Sequence, residues 1–438
     1  MLPKPSEDRR SILKLLAAAP LFATIGARNL AGAVTSAAGK PASADASAEV
    51  YTRLGIRPLI NARGTWTYLT GSLELPEVRK AAELASHHFV DMFELQRAAG
   101  KRLAELSGAE DGMITAGSAA AIASATAACI AGTDQKNIWQ LPDTTGLKSE
   151  VVMLGGRISF DSAARLCGGK LVLCGTVEEL ASKLNSNTAM VYTTFRDEAR
   201  LVPAIKITKS AGVPMLIDDA AGIPPFENVT RFAKMGADMF CFSGGKGLGG
   251  PQSSGVLFGR HDLMEAARAN SAPWEGAVCR SMKVGKEEII GVLAALEYWS
   301  KADLNALNAE WKSRVERAKK LVDTVPGVTT DIAIPKGGNS YPTLSVIWDE
   351  TKFGLTVDQC AEQMRAGEPR IEVLTNNNPS LLTTVQEGMP KGEGARPSRP
   401  PRPNHISIIS MTLQPGEDLI VGNRLRQVLN DARKKAGA

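Results

Sequence analysis

The chain has 438 residues, 44% of them hydrophobic and 22% charged, an ordinary globular balance with length enough for two or three domains. Its formal charge is +5, and the first 48 residues carry six Lys/Arg against three acids, which leaves about +2 for the remainder. So small an excess excludes the basic footprint that dominates a nucleic-acid surface.

Six cysteines are scattered without CxxC spacing, and most lie in apolar runs such as SATAACIAG and KLVLCG. They read as core thiols rather than disulfides. His87, His88, His261 and His405 lack metal-ligand spacing, so no metal site is expected. At the N-terminus, Arg9 and Arg10 precede Ile12, Leu13 and Lys14, then a modest apolar stretch over 15–25 and an Ala-rich region. The pattern resembles a twin-arginine export signal, with RR-S-I-L-K where such signals carry RR-x-F-L-K. A periplasmic location is therefore expected, with cleavage after Ala33, Ala38 or Ala48 all compatible. The apolar run falls short of the ~20 residues of a spanning helix, so no permanent membrane anchor is expected.

From Val50 the chain predicts a small strand at Ile60 and Asn61, turning at Gly64 and Thr65. Apolar residues at three- and four-residue steps predict one long helix over 75–107, with His88 on or beside its buried face as a core or interface histidine. A short strand over 112–115 then leads through Ala116, Gly117 and Ser118 into an Ala-rich helix. Small residues let backbone amides approach an anion, the helix N-terminus attracts it, and Ser118 adds a hydroxyl. Segments 150–154, 170–175, 189–194 and 214–218 read as short buried strands separated by helices, the pattern of a mainly parallel sheet covered on both faces. Arg157 and Phe160 follow a strand end and are candidates to cover a bound ring.

The central stretch runs VPMLIDDAAGIPP and, after a short helix, GADMFCFSGGKGLGGPQSSG. Asp218 ends an apolar run, with Asp219 as the alternative carboxylate. Lys246 lies 28 residues further on, in a glycine-rich loop behind the predicted strand 237–242 and Ser243. A lone lysine and a strand-end acid so placed are what a pyridoxal 5'-phosphate (PLP) enzyme needs. The amine forms a Schiff base, and the acid keeps the pyridine nitrogen protonated so that the ring can accept electrons. Gly117, Ser118 and Ser243 are then the phosphate-binding candidates. A P-loop is disfavoured because Gly247, not Ser or Thr, follows Lys246, and no GxGxxG opens a helix after a strand.

At these residues the chain resembles fold-type-I PLP enzymes of the branch that contains selenocysteine synthase (seryl-tRNA selenium transferase) and glucosaminate-6-phosphate ammonia lyase. INA-x-GT matches Ile60 to Thr65, and the GAE-plus-small-residue segment matches Gly108 through Ala120. VPV-x-VDAAA matches VPMLIDDAA, and FSG-x-K-x-x-GGPQ matches Phe242 to Gln252. The likeness continues through CRSMKVGKEE to LQPGE, nearly all of the chain after Val50. It implies an α/β fold: a large domain with a mainly parallel seven-stranded sheet and a smaller α+β C-terminal domain. The boundaries expected are 1–48 for signal and linker, 49–290 for an N-terminal arm and the large domain, and 291–438 for the small domain. It also implies Lys246 as the Schiff-base lysine, Asp218 as the ring-nitrogen partner, Arg280 and Lys283 as substrate-anion residues, and a homodimer or larger homo-oligomer.

Selenocysteine synthases carry SGDK and an asparagine-rich phosphate segment, whereas this chain has Gly245 and Ala116–Gly117–Ser118. With near-neutral charge and an export signal, nucleic acid is not the expected partner. The expectation is an exported PLP-dependent enzyme acting at the α-carbon of an amino acid or amino-sugar acid, foremost an α,β-eliminating lyase. A racemase or aminotransferase is the alternative, and a tRNA-dependent selenium transferase or a non-catalytic binding protein the alternative of another class. The Pro/Gly/Arg-rich stretch 389–404 is read as an exposed loop, a candidate gate or acid-binding segment.

Overall fold

The computed structural model describes residues 46–335, 339–376 and 403–437. The paired arginines, the 15–25 apolar run and residues 389–402 of the basic loop lie outside these. Residues 46–56 belong to a separate unit, with a 3-10 turn at Ala46–Ala48 and a short helix at Glu49–Thr52.

Beyond it, β1 (Leu59–Ala62) is followed by the strands of a seven-stranded sheet: β2 (Asp111–Thr115), β3 (Glu150–Leu154), β4 (Lys170–Cys174), β5 (Thr188–Thr193), β6 (Met215–Asp218), β7 (Met239–Ser243) and β8 (Gly255–Gly259). Their order is β2-β8-β7-β6-β5-β3-β4. Only β8 runs antiparallel, pairing with β2 on one side and β7 on the other. Strands buried on both faces need continuous apolar runs, which MLI, MFCF and VLF supply. Inside, Phe240 stacks on Phe258 at 5.0 Å between centroids, with Phe232 and Phe242 edge-on or tilted beside them. These rings join β7 to β8 beneath the lysine loop and contribute about 0.5–1.5 kcal/mol per pair beyond their area.

The second sheet has order β1-β11-β12-β10-β9, where β9 is Val328–Ala333, β10 Thr343–Trp348, β11 Arg370–Thr375 and β12 Ile406–Ile409. Here β1 pairs parallel to β11 although 311 residues separate the register partners Ile60 and Ile371. The other pairings are antiparallel. Helices Leu304–Val322 and Glu417–Lys435 pack on it through Val315, Ala318, Val322, Val421 and Leu425.

The helix expected over 75–107 is two helices, Pro76–Ser86 and Met92–Ser107. Asp91 restarts the chain: its Oδ1 accepts from the backbone N–H groups of Phe93 at 2.8 Å and Glu94 at 3.0 Å, an N-cap no continuous helix could form. His88 falls in the break and is exposed rather than buried. In the seven-stranded sheet, β8 had no counterpart among the expected strands. The six cysteines are free thiols, five of them buried. No helix among the described residues is long and apolar enough to cross a membrane.

Candidate active site

Strands β5, β6 and β7 are parallel, so their C-terminal ends share one edge of the sheet. Ligands of open α/β sheets bind at this edge. Asp218, the last residue of β6, is buried. Its Oδ2 accepts from Tyr192 Oη at 2.6 Å, and its Oδ1 accepts from the Ala220 N–H at 3.1 Å and from Cys241 Sγ at 3.7 Å. Asp219 points elsewhere because successive residues of an extended chain face opposite sides. It is fully buried and forms an ion pair with Arg196.

Lys246 follows β7 in a loop shaped by glycines. Gly249 N–H donates to Lys246 O at 3.0 Å, Gly250 N–H to Gly244 O at 2.9 Å, and Trp299 Nε1 to Leu248 O at 2.9 Å. A Cβ at Gly245 would stand 2.5 Å from Gln252 Cα, and one at Gly247 would stand 2.3 Å from Ile223 O. The lysine is therefore flanked by backbone too close for any other residue. Burial pushes the Lys246 ammonium pKa down, opposed by the Asp218 carboxylate and helped by the Arg196 cation. Its Nζ lies 5.9 Å from the centroid of the Phe160 ring, which is half exposed. Arg157, the other candidate for covering a ring, is held instead by Asp161 through Nε and Nη2.

Gly117, Ser118 and Ser243 come together around Gly255, the first residue of β8. Gly255 is the register partner of Ser243 on one side and of Thr115 on the other. A Cβ there would lie 2.4 Å from Gly117 C and 2.7 Å from Ser118 N. Gly117 has φ +95° with open space where a side chain would project, and no side chain caps the fourteen-residue helix Ser118–Ala131. Its first N–H groups are thus available to an anion.

Arg280 is half-buried and Lys283 exposed on the turn before helix Lys286–Trp299. That turn is tied to the middle of helix Ser118–Ala131, where Ser124 Oγ and Ser271 Oγ are 2.8 Å apart and Ser271 bridges to Cys279. Among the described residues one His/Asp/Glu cluster has ligand-like spacing, Asp111, His261 and Glu265, but Arg268 already pairs with both acids.

Sequence reasoning missed Tyr192 and Arg196. Both belong to the segment around the end of β5, and the signal was available: a strand adjacent to β6 delivers its last residues to the same edge as Asp218.

A buried strand-end carboxylate, a desolvated lysine on the adjacent strand's loop and an open helix N-terminus define a PLP-dependent enzyme of fold type I. The donor set fits PLP: an acceptor for the ring nitrogen, an amine of lowered pKa, and backbone N–H groups for the phosphate. Comparison agrees. Residues 175–347 match the family model described as aminotransferase class-V. The chain is 35% identical over 339 residues to a Streptomyces 5'-C-glycyluridine monooxygenase-decarboxylase, covering 73% of this chain and 83% of that one. It is 29% identical over 335 residues to the D-glucosaminate-6-phosphate ammonia lyase of Salmonella typhimurium, covering 73% and 87%. A solved structure of a D-glucosaminate-6-phosphate ammonia lyase superposes with TM-score 0.70 at 27% identity, covering 87% of this chain and 98% of that chain. The chain belongs to the aminotransferase class-V family of PLP-dependent enzymes.

Proposed function

We propose that the protein is an exported PLP-dependent lyase acting by α,β-elimination on an amino acid or amino-sugar acid: the α-proton and a β-hydroxyl leave as water, and hydrolysis of the resulting imine then releases the amino group as ammonia. The observation that carries the reading is the pairing of a desolvated Lys246 with a buried, hydrogen-bonded Asp218, supported by the likeness to the ammonia lyase in both sequence and fold. PLP supplies, when bound, a sink for the electron pair left at the α-carbon after a bond there breaks. Lys246 holds the cofactor through its amine. Once released, its lowered pKa favours a neutral amine that takes the proton from the α-carbon and returns one during elimination. Asp218 keeps a proton on the pyridine nitrogen, while Tyr192 fixes the carboxylate's direction. Gly117, Ser118 and Ser243 hold the phosphate, and Phe160 shields the ring side of Lys246 from water. Arg280 and Lys283 are candidates for an outer anionic group of the substrate.

A second reading is favoured by the 35% identity to the monooxygenase-decarboxylase. It has the same residues cleave a different bond at the α-carbon, with loss of carboxyl and consumption of dioxygen. The purified protein should absorb in the visible range, and borohydride should fix PLP to the peptide containing Lys246. Lys246→Ala should abolish both. A panel of amino acids and amino-sugar acids, assayed in air and without oxygen, then separates the readings. Oxygen-independent ammonia and keto acid support elimination, whereas oxygen-dependent carbon dioxide supports decarboxylation. A protein that stays colourless with added PLP overturns both.

A further inference from the structure

We infer that Arg196 receives the substrate's carboxylate at this site, and that Asp219 is the positioning residue that holds it there. The inference rests on the reading of an amino acid or amino-sugar acid substrate. Arg196 stands three residues beyond Thr193, the last residue of β5, at the edge where β6 presents Asp218 and the next strand presents Lys246. It is close enough to Lys246 for its charge to press on the amine. Arg280 and Lys283 are not among the charges that act most strongly on that amine.

The geometry of the pair is one-sided. Arg196 meets the Asp219 Oδ1 through Nε, and that nitrogen is sealed from solvent. The arginine side chain is nevertheless 29% exposed, whereas the aspartate side chain is 0% exposed. A guanidinium has five N–H donors, of which Nε–H is the one that meets Asp219 Oδ1. The side chain is part exposed beyond that contact, and a guanidinium fork matches a carboxylate in two parallel bonds.

Asp219 pairs with Arg196, with the Arg231 cation as a further charge acting on it. Apart from the Arg196 contact, neither of its oxygens has a hydrogen-bond partner among the described residues. Gly222 closes over it so tightly that a Cβ there would lie 2.0 Å from Oδ2. A buried carboxylate is costly unless paired, and its close partner is the Arg196 cation, whose side chain stays 29% exposed. The acid thus fixes the direction of the arginine before any substrate arrives.

Isothermal calorimetry on the holoprotein with propionate as an unreactive carboxylate, and inorganic phosphate as the rival anion, tests this. Arg196→Gln should weaken propionate binding at least tenfold and leave phosphate binding unchanged. Arg196→Lys should fall between the two, retaining charge without the fork. Asp219→Asn should weaken propionate several-fold while the cofactor absorbance stays as in the native protein, a pattern that loss of packing alone would not give. Unaltered propionate affinity in Arg196→Gln, or a preference for phosphate that the same substitution removes, overturns the inference. A colourless native protein would sink the cofactor reading instead, and the same calorimetry on that protein would still decide the role of Arg196.

Discussion

Removing the Asp219 carboxylate from water raises its pKa to about 6, although Arg196 and Arg231 pull it down and Asp218 adds to the rise. The folded protein then binds that proton more tightly than the unfolded chain, whose carboxyl titrates near 3.8. Stability from this group is complete below the unfolded pKa and is lost as pH rises through the folded one. The loss between pH 4 and 6 is on the order of 3 kcal/mol. Denaturant midpoints followed over that range should therefore fall more steeply in the native protein than in Asp219→Asn, which cannot ionise. Parallel slopes would remove Asp219 from the account. Asp218, one residue away, serves differently because the pleat turns it toward Tyr192 and Cys241. The apolar run MLI identified Asp218 in the sequence. The partnership of Asp219 with Arg196 did not show there, because the two are 23 residues apart and meet only through the pairing of β5 with β6.

At the scale of elements, β8 decides the phosphate cradle. Its short, apolar GVLFG sits between β2 and β7 and runs against both, so Gly255 touches Gly117 and Ser118 on one side and pairs with Ser243 on the other. Gly255→Ala should force those backbones apart and lower PLP retention at least tenfold, read by spectral titration of the apoprotein. It should also cost about 1–3 kcal/mol in stability, as overpacking does. The break between helices Pro76–Ser86 and Met92–Ser107 allows a local test. Asp91→Ala removes a cap that satisfies two N–H groups and should cost about 1 kcal/mol in denaturation with the cofactor spectrum unchanged. The spacing of 75–107 reads through this break because Leu84, His88 and Met92 keep the three- and four-residue step, yet Leu84 and His88 are exposed. Periodicity records which residues are apolar, and the cap records where the helix must restart.

For the whole molecule, two expectations stay as proposals with their own tests. Replacing Arg9 and Arg10 by lysine should leave the full chain unprocessed in the cytoplasm, while the native precursor should yield a shortened periplasmic form on fractionation. Light scattering of the holoprotein should give at least twice the mass of the chain as isolated, which is 46.4 kDa when unprocessed. The sequence by itself determined the cofactor chemistry, because Asp218, Lys246 and the small residues of 116–118 each lie at a strand end where local pattern is enough to place them. It also determined most strands of the parallel sheet, since burial on both faces writes an unbroken apolar run. Only the tertiary structure decided that β1 crosses to the C-terminal sheet, that β8 closes the phosphate cradle, and that Arg196 stands over Asp219 beside the lysine. Each of these depends on strand pairing between distant segments, and pairing is set by packing energies that no single stretch of sequence contains.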